Sequence, residues 1–194
     1  VNEHFDIVVI GAGIAGASIA AELASGASVM MAEGEQFPGY HSTGRSAAFW
    51  AECYGGPGIA PLTLASGPWL RDNGFLKPRG ALHLAREEDG AAVQSFEDEF
   101  AGSGVTLERL GRAQIEQMVS GIRPEWTHAI SEPLCADIDV GGLHQHYLAT
   151  ARQGGAQLRT SCRLTSAKRD GAGWLLGFSD GAQCKAGMLV NAAG

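Results

Sequence analysis

The chain reads as α/β: a Rossmann-like parallel sheet with a β-meander crossover, carrying part of a smaller α+β domain. Three observations predict this. A strand, a glycine turn and a helix follow one another over residues 5–25, and a second strand follows at 28–33. The middle third loses that rhythm. It returns near residue 140 with a helix, a strand and two hairpin signals.

Phe5-Asp-Ile-Val-Val-Ile10 is a nearly continuous apolar run rich in β-branched residues. Such a run fits a strand buried on both faces of a parallel sheet. Residues 14–25 carry helix-forming Ala, Leu and Glu and close near Gly26, so this helix is the crossover that parallel pairing with strand 28–33 requires. Residues 34–58 are irregular, punctuated by Gly, Pro, Ser and Thr, and a loop of that length inside a compact domain is usually functional. Helices are expected at 61–72, 87–101 and 112–119, with a strand at 80–85, as a partly antiparallel insertion. Residues 140–153 read as a helix and 157–161 as a strand. Residues 164–185 carry hairpin turns at 170–173 and 180–181, and 188–191 is a separate final strand.

Composition removes several function classes. Apolar residues make up 45% of the 194, which excludes a disordered chain, and the 28 glycines show no three-residue period. Fourteen Lys+Arg against 21 Asp+Glu leave a net charge of -7 and no long basic tract, so no nucleic-acid partner is expected. Cys53, Cys135, Cys162 and Cys184 lie far apart, with no CxxC pair and no His/Cys cluster at metal-ligand spacing. No metal is therefore expected, and a reducing, cytoplasmic compartment is the simpler reading. Glu3 and Asp6 stand where a signal peptide would be basic. The most apolar stretch, residues 7–21, contains three glycines and is too short to span a bilayer, so no transmembrane segment is expected.

Gly11-Ala-Gly13-Ile-Ala-Gly16 is a GxGxxG between the first strand and the first helix. In that context Gly11 serves the tight turn, Gly13 the approach of backbone to a pyrophosphate, and Gly16 close packing of helix on strand. The helix start offers unpaired N–H groups and a partial positive charge to a diphosphate. Glu33 ends the second strand 17 residues after Gly16, where an acid accepts hydrogen bonds from a ribose 2′-hydroxyl. That acid repels a 2′-phosphate, and Gly34 supplies no arginine, so NADP is disfavoured. NAD and FAD both remain open on these residues.

A second motif, Pro38-Gly-Tyr-His-Ser-Thr-Gly-Arg-Ser-Ala-Ala48, combines a glycine turn, hydroxyls and an arginine. It suits either a second phosphate contact or an ordinary loop with a helix cap at Thr43 or Ser46.

Taken with residues 7–16, with Ala136-Asp-Ile-Asp139 and Leu143-His-Gln145, and with Leu189-Val-Asn-Ala-Ala-Gly194, these motifs resemble the D-amino-acid-oxidase-type flavoproteins. That family includes glycine and sarcosine oxidases, and the likeness extends to its D-arginine dehydrogenase-like members. The resemblance implies bound FAD. It implies adenosine held by Gly11, Ala12, Gly13, Ile14, Ala15, Gly16 and Glu33. The loop of Ser42 and Thr43, with Arg45, Ser46 and Ala47, would run beside the pyrophosphate and isoalloxazine. Backbone at Arg163 and Leu164 would meet the adenine, and Ala193 and Gly194 would lie near the ribose and pyrophosphate. An FAD-binding domain over 1–50 and 136–194, interrupted by a partial substrate domain over 51–135, is the implied organisation.

The departures from the family pattern concern the substrate. Phe49 stands where D-arginine dehydrogenase-like enzymes carry a histidine, and Ala81 where they carry the glutamate that holds a cationic side chain. A lost carboxylate at a charge pair disfavours a cationic substrate, so a small or apolar amine or amino acid is expected. Tyr54 matches a tyrosine near the substrate entrance and reads equally as a core tyrosine. No firm catalytic residue is evident, and His41, His83, His128, His144 and His146 read as surface or core residues. The implied chemistry is hydride transfer from a D-amino acid or secondary amine to flavin N5, giving an imine that hydrolyses, with oxygen or a quinone as electron acceptor. A quinone acceptor would add a peripheral association with the inner membrane face.

The resemblance also implies that the chain corresponds to the amino-terminal half of the family fold. The remainder would come from a longer protein or a second chain, and 194 residues alone are expected not to be a competent oxidoreductase. Rival readings are a 2-hydroxyacid oxidoreductase with the same cofactor and a flavin-binding subunit without turnover.

Overall fold

A computed structural model describes residues 3–194. The chain runs through β1 (His4–Ile10), α1 (Ile14–Leu23) and β2 (Val29–Ala32), then a single 3₁₀ turn at Thr43–Arg45. There follow β3 (Phe49–Trp50), α2 (Ala60–Asp72), β4 (Leu76–Pro78), β5 (Ala81–Ala85), α3 (Gly90–Glu99), β6 (Glu108–Gly111), α4 (Arg112–Met118), β7 (His128–Glu132) and β8 (Ala136–Ile138). It closes with α5 (Val140–Gln153), β9 (Gln157–Arg159), β10 (Leu164–Asp170), β11 (Gly173–Phe178) and β12 (Gln183–Asn191). Two compact units result, one formed by the chain up to Ser46 and again from Val140 to Gly194, the other by Ala47–Asp139.

The first unit is built on a six-stranded sheet in the order β10-β11-β12-β1-β2-β9. The four strands from β12 to β9 are parallel, and β10 and β11 join them antiparallel as a meander. The α/β class and its largely parallel sheet are as the sequence predicts. The apolar run of β1 has the predicted cause, two covered faces. On one face Ile7, Val9, Val29 and Met31 pack with Ala17 and Ala20 of α1 and Leu148 and Ala151 of α5. On the other face Val8, Met30 and Ala32 meet Leu176 and Phe178 of β11 and Cys184 and Ala186 of β12. The meander thus closes the face that no helix of this unit covers.

One expected element is corrected. Residues 188–191 are not a separate strand after a hairpin. They are the end of the nine-residue β12, which pairs with β11 over residues 183–186 (Leu176↔Cys184) and with β1 over residues 185–191 (Val9↔Val190). Gly187 hides this continuity in the sequence, because a glycine between apolar runs reads as a break.

The second unit holds two three-stranded antiparallel sheets, β3-β8-β4 and β5-β7-β6. The sequence reading lacked β4, β6, β7 and β8, and treated 34–58 as wholly irregular where β3 lies. These strands are two to five residues long, too short to display an alternation. The unit begins after Ser46 and ends at Asp139, where the sequence reading cuts at 50/51 and 135/136, because β3 and β8 pair with each other (Phe49↔Asp137, Trp50↔Ala136). Its core comes from Val93 of α3 against Ala85 and Ile130, and from Ile115 of α4 against Leu110 and Ala129. Residues 87–89 of the expected charged helix form a 3₁₀ turn ahead of α3. Among the described residues no helix is long and apolar enough to cross a membrane.

Candidate functional site

The first unit carries a cleft of about 630 Å³ beyond the carboxyl ends of β1, β2 and β12. In open parallel sheets that is where ligands collect. Gly11 begins the turn at φ +96°, its N–H donating to the Ala32 carbonyl at 2.8 Å. A Cβ on Gly11 would run into the Ala192 carbonyl, and one on Gly16 into the carbonyl of Gly11 itself. At Gly11 and Gly16 the turn therefore packs against backbone, and α1 starts directly against it. Gly13, Ile14 and Ala15 bring the amino end of that helix to the cleft wall. There the Ile14 N–H donates to Thr43 Oγ1 at 3.0 Å, fastening the second motif to the first.

Glu33 stands at the end of β2 with both carboxylate oxygens oriented. Oε2 accepts the Ala12 N–H and Oε1 the Glu35 N–H, each at 3.0 Å. The segment before β10 is laced to the same strand end, with Cys162 N–H donating to the Glu33 carbonyl and Ser161 N–H to that of Glu35, both at 2.8 Å. This lacing brings Arg163 and Leu164 to the rim. Burial first, and the Asp180 charge second, push the Cys162 thiol above its ordinary range, so it stays protonated beside the cleft.

Of the residues singled out in the sequence, Gly11, Gly13, Ile14, Ala15, Glu33, Ser42, Thr43, Arg163, Leu164, Ala193 and Gly194 line one cleft. Ala12 and Gly16 lie buried behind that wall. Arg45 and Ser46 belong to the same unit without lining the cleft, the Arg45 guanidinium lying over the Tyr40 ring at 4.8 Å. Ala47 belongs to the second unit.

Glu35, which sequence reasoning passed over, and His144, which it read as a surface or core residue, both shape the site. Glu35 binds His41 at 3.1 Å and Arg163 at 3.2 Å. The arginine that Gly34 does not supply thus arrives from residue 163, already paired. A second acid two positions beyond Glu33 was the available signal. His144, 5% exposed on α5, reaches the Ala12 carbonyl from behind the turn.

The substrate-side candidates Phe49, Tyr54 and Ala81 all lie in the second unit. Phe49 and Tyr54 meet edge-on with ring centroids 6.3 Å apart. Tyr54 is 72% exposed, so its reading as a core tyrosine is corrected: the turn after β3 holds it at the surface. Ala81 faces Glu132 across the β5–β7 ladder.

The arrangement fits a dinucleotide: a backbone-lined turn, a helix amino end for a diphosphate and a fixed carboxylate at the far rim. Comparison with known proteins agrees. A family model described as FAD dependent oxidoreductase matches residues 6–194. Among solved structures, glycine oxidase from Geobacillus kaustophilus superposes with a TM-score of 0.85 at 22% identity, over 100% of this chain and 56% of that one. L-proline dehydrogenase from P. horikoshii gives 0.86 at 23%, over 99% and 53%. L-alpha-glycerophosphate oxidase from Mycoplasma pneumoniae, solved with FAD bound, gives 0.87 at 16%, over 98% and 54%. The chain thus spans little more than half the length of these structures.

Proposed function

The chain belongs to the FAD dependent oxidoreductase family, and on that premise we propose that it is the FAD-holding part of an enzyme that oxidises the C–N bond of a D-amino acid or secondary amine. FAD, when bound, supplies the hydride acceptor. The observation that carries the reading is the convergence of the glycine turn, the α1 amino end, Glu33 and the 163–164 rim on one cleft. In this reading the α1 amino end faces the diphosphate, Glu33 takes the adenosine ribose, and Arg163 and Leu164 border the adenine. Ala193 and Gly194 back the ribose and pyrophosphate, while Arg45, Ser46 and Ala47 serve the flavin side.

The choice of C–N chemistry draws on the glycine oxidase and L-proline dehydrogenase likenesses. Phe49 and Ala81, which offer no carboxylate to a cationic side chain, favour a small or apolar substrate. With FAD held in the cleft, the substrate's Cα hydrogen would pass to it as hydride, leaving an imine that water would hydrolyse. Oxygen or a quinone then accepts the electrons.

A visible spectrum of the purified chain, and anaerobic substrate addition to the complete enzyme of which it is the FAD-holding part, test this. A flavin absorbance that bleaches with D-alanine or D-proline and is unmoved by 2-hydroxyglutarate is the expected result. Bleaching by 2-hydroxyglutarate alone moves the chemistry to C–O bonds. A yellow protein that no substrate bleaches is a flavin carrier without turnover. A colourless protein that takes up no FAD overturns the assignment of the cleft.

A further inference from the structure

Outside the cleft, the second unit gathers three donor atoms of different chemistry. Cys53 Sγ, His83 Nε2 and a Glu132 carboxylate oxygen all lie within 4.8 Å of one another. The sheet explains the pairing of two of them. In the β5–β7 register Ala81 lies opposite Glu132, so His83, two residues along the same face, is its diagonal neighbour. Cys53 arrives from the turn after β3, where Tyr54 N–H donates to the Ala51 carbonyl at 3.2 Å and Gly56 N–H to that of Cys53 at 3.1 Å. Glu132 Oε1 accepts from the Cys53 thiol at 2.9 Å and lies 2.6 Å from His83 Nε2, while Oε2 takes the Cys53 N–H at 3.4 Å.

The carboxylate at the centre is the unusual member. Glu132 is 3% exposed, and among the described residues no lysine or arginine pairs with it. A buried carboxylate is costly without a compensating charge, and among the described residues the group placed to supply it is the half-exposed imidazole of His83. A divalent cation at the same point would compensate it fully.

We propose that Cys53, His83 and Glu132 form a zinc site that clips the turn after β3 to the β5–β7 ladder. A thiolate, an imidazole and a carboxylate are a zinc ligand set, whereas calcium and magnesium demand oxygen donors. Around a tetrahedral zinc, bonds of about 2.0–2.3 Å space the ligand atoms by roughly 3.4 Å. The present separations of 2.6 and 2.9 Å therefore open by less than about an ångström to admit the ion. The His83 side chain, 49% exposed, has room to make that adjustment and leaves an entry path. On binding, the Cys53 S–H bond is replaced by S–Zn and its proton leaves to solvent, so thiolate and carboxylate together neutralise the ion. Three protein ligands leave the fourth position to water.

The site is independent of the flavin reading, and its test involves no flavin. Untagged full chain, stripped with chelator and freed of it, is dialysed against zinc, then analysed for metal and titrated with cobalt as a spectroscopic probe. The expected result is one zinc retained per chain, a thiolate-to-cobalt charge-transfer band, and no retention of calcium or magnesium. Loss of an outer-sphere partner already costs roughly ten- to a hundredfold in metal affinity, so Cys53→Ala and His83→Ala are each expected to weaken binding by on the order of a hundredfold or more. Cys184→Ala leaves it unchanged. His83→Ala truncates a half-exposed side chain, so it serves as the test should Cys53→Ala fail to fold. Failure of the stripped, folded chain to retain zinc overturns the proposal, as does equal retention by the folded His83→Ala variant.

Discussion

His144 Nε2 donates to the carbonyl oxygen of Ala12 at 2.8 Å, joining residues 132 positions apart. The imidazole lies under the glycine turn and so fixes the backbone on which the cleft is built. Replacing His144 by Ala leaves the Ala12 carbonyl without this partner, which costs about 1–3 kcal/mol for a buried group. A lowered thermal midpoint and weaker FAD retention are expected together. Gln, which keeps a donor, recovers part of both.

Gly16→Ala places a methyl group in the carbonyl of Gly11. The conflict is backbone against backbone, so relief requires α1 to move away from β1. Overpacking of this kind costs typically 1–3 kcal/mol, and here it also opens the turn. Low soluble yield and no flavin colour are expected. Gly13→Ala meets only the Thr43 hydroxyl at 3.1 Å, so the milder outcome of partial FAD binding is expected in the same spectra.

Glu33 uses one carboxylate oxygen for each of two backbone donors. A glutamine has a single acceptor oxygen, so in Glu33→Gln either the Ala12 or the Glu35 N–H faces an amide NH₂. Hydrogen bonds to a charged group contribute about 1.5–3 kcal/mol each. A roughly ten- to hundredfold loss of FAD affinity, read from quenching of flavin fluorescence, is the expected outcome.

Asp6 gives the first unit an acid-sensitive clasp between β1 and the start of β2. Its Oδ2 accepts the Ser28 hydroxyl at 2.7 Å and the Ser28 N–H at 2.8 Å. Those bonds, the hydroxyl first, hold its carboxyl below the ordinary 3.8. A depressed folded-state value means that the unfolded chain takes up the proton more readily. The contribution is therefore complete above the ordinary value and is lost as pH falls through the lowered one. Asp6→Asn removes it at every pH. Urea midpoints measured from neutral pH down to about pH 3 should fall less steeply for the variant.

What the sequence makes legible here is what is local. The turn Gly11–Gly16 and the acid Glu33 sit within one βαβ unit, where strand length, crossover and glycine spacing leave one arrangement. The 38–48 motif is readable as chemistry but not as geometry, since only the fold brings Thr43 to the Ile14 N–H. Cys53 and Glu132 are 79 positions apart, and His83 and Glu132 are 49, so no ligand spacing exists in the sequence for that cluster. His128–Glu132 carries the central strand of its sheet without alternation, because four of its five residues are buried. Burial on both faces erases the pattern by which half-buried strands are recognised.

β1 is the first strand of its sheet to be made and β12 the last, yet they lie side by side, His4 against Lys185 and Ile10 against Asn191. On the ribosome, Val8 and Val9 must therefore wait for about 180 further residues, on the order of tens of seconds, before one of their two flanking strands exists. Until then the apolar end of β1, residues 7–10, has an open edge, and the glycine turn lacks the Ala192 backbone that closes it. The cofactor cradle consequently closes only once β12 has been made, and flavin cannot recruit the nascent chain before then.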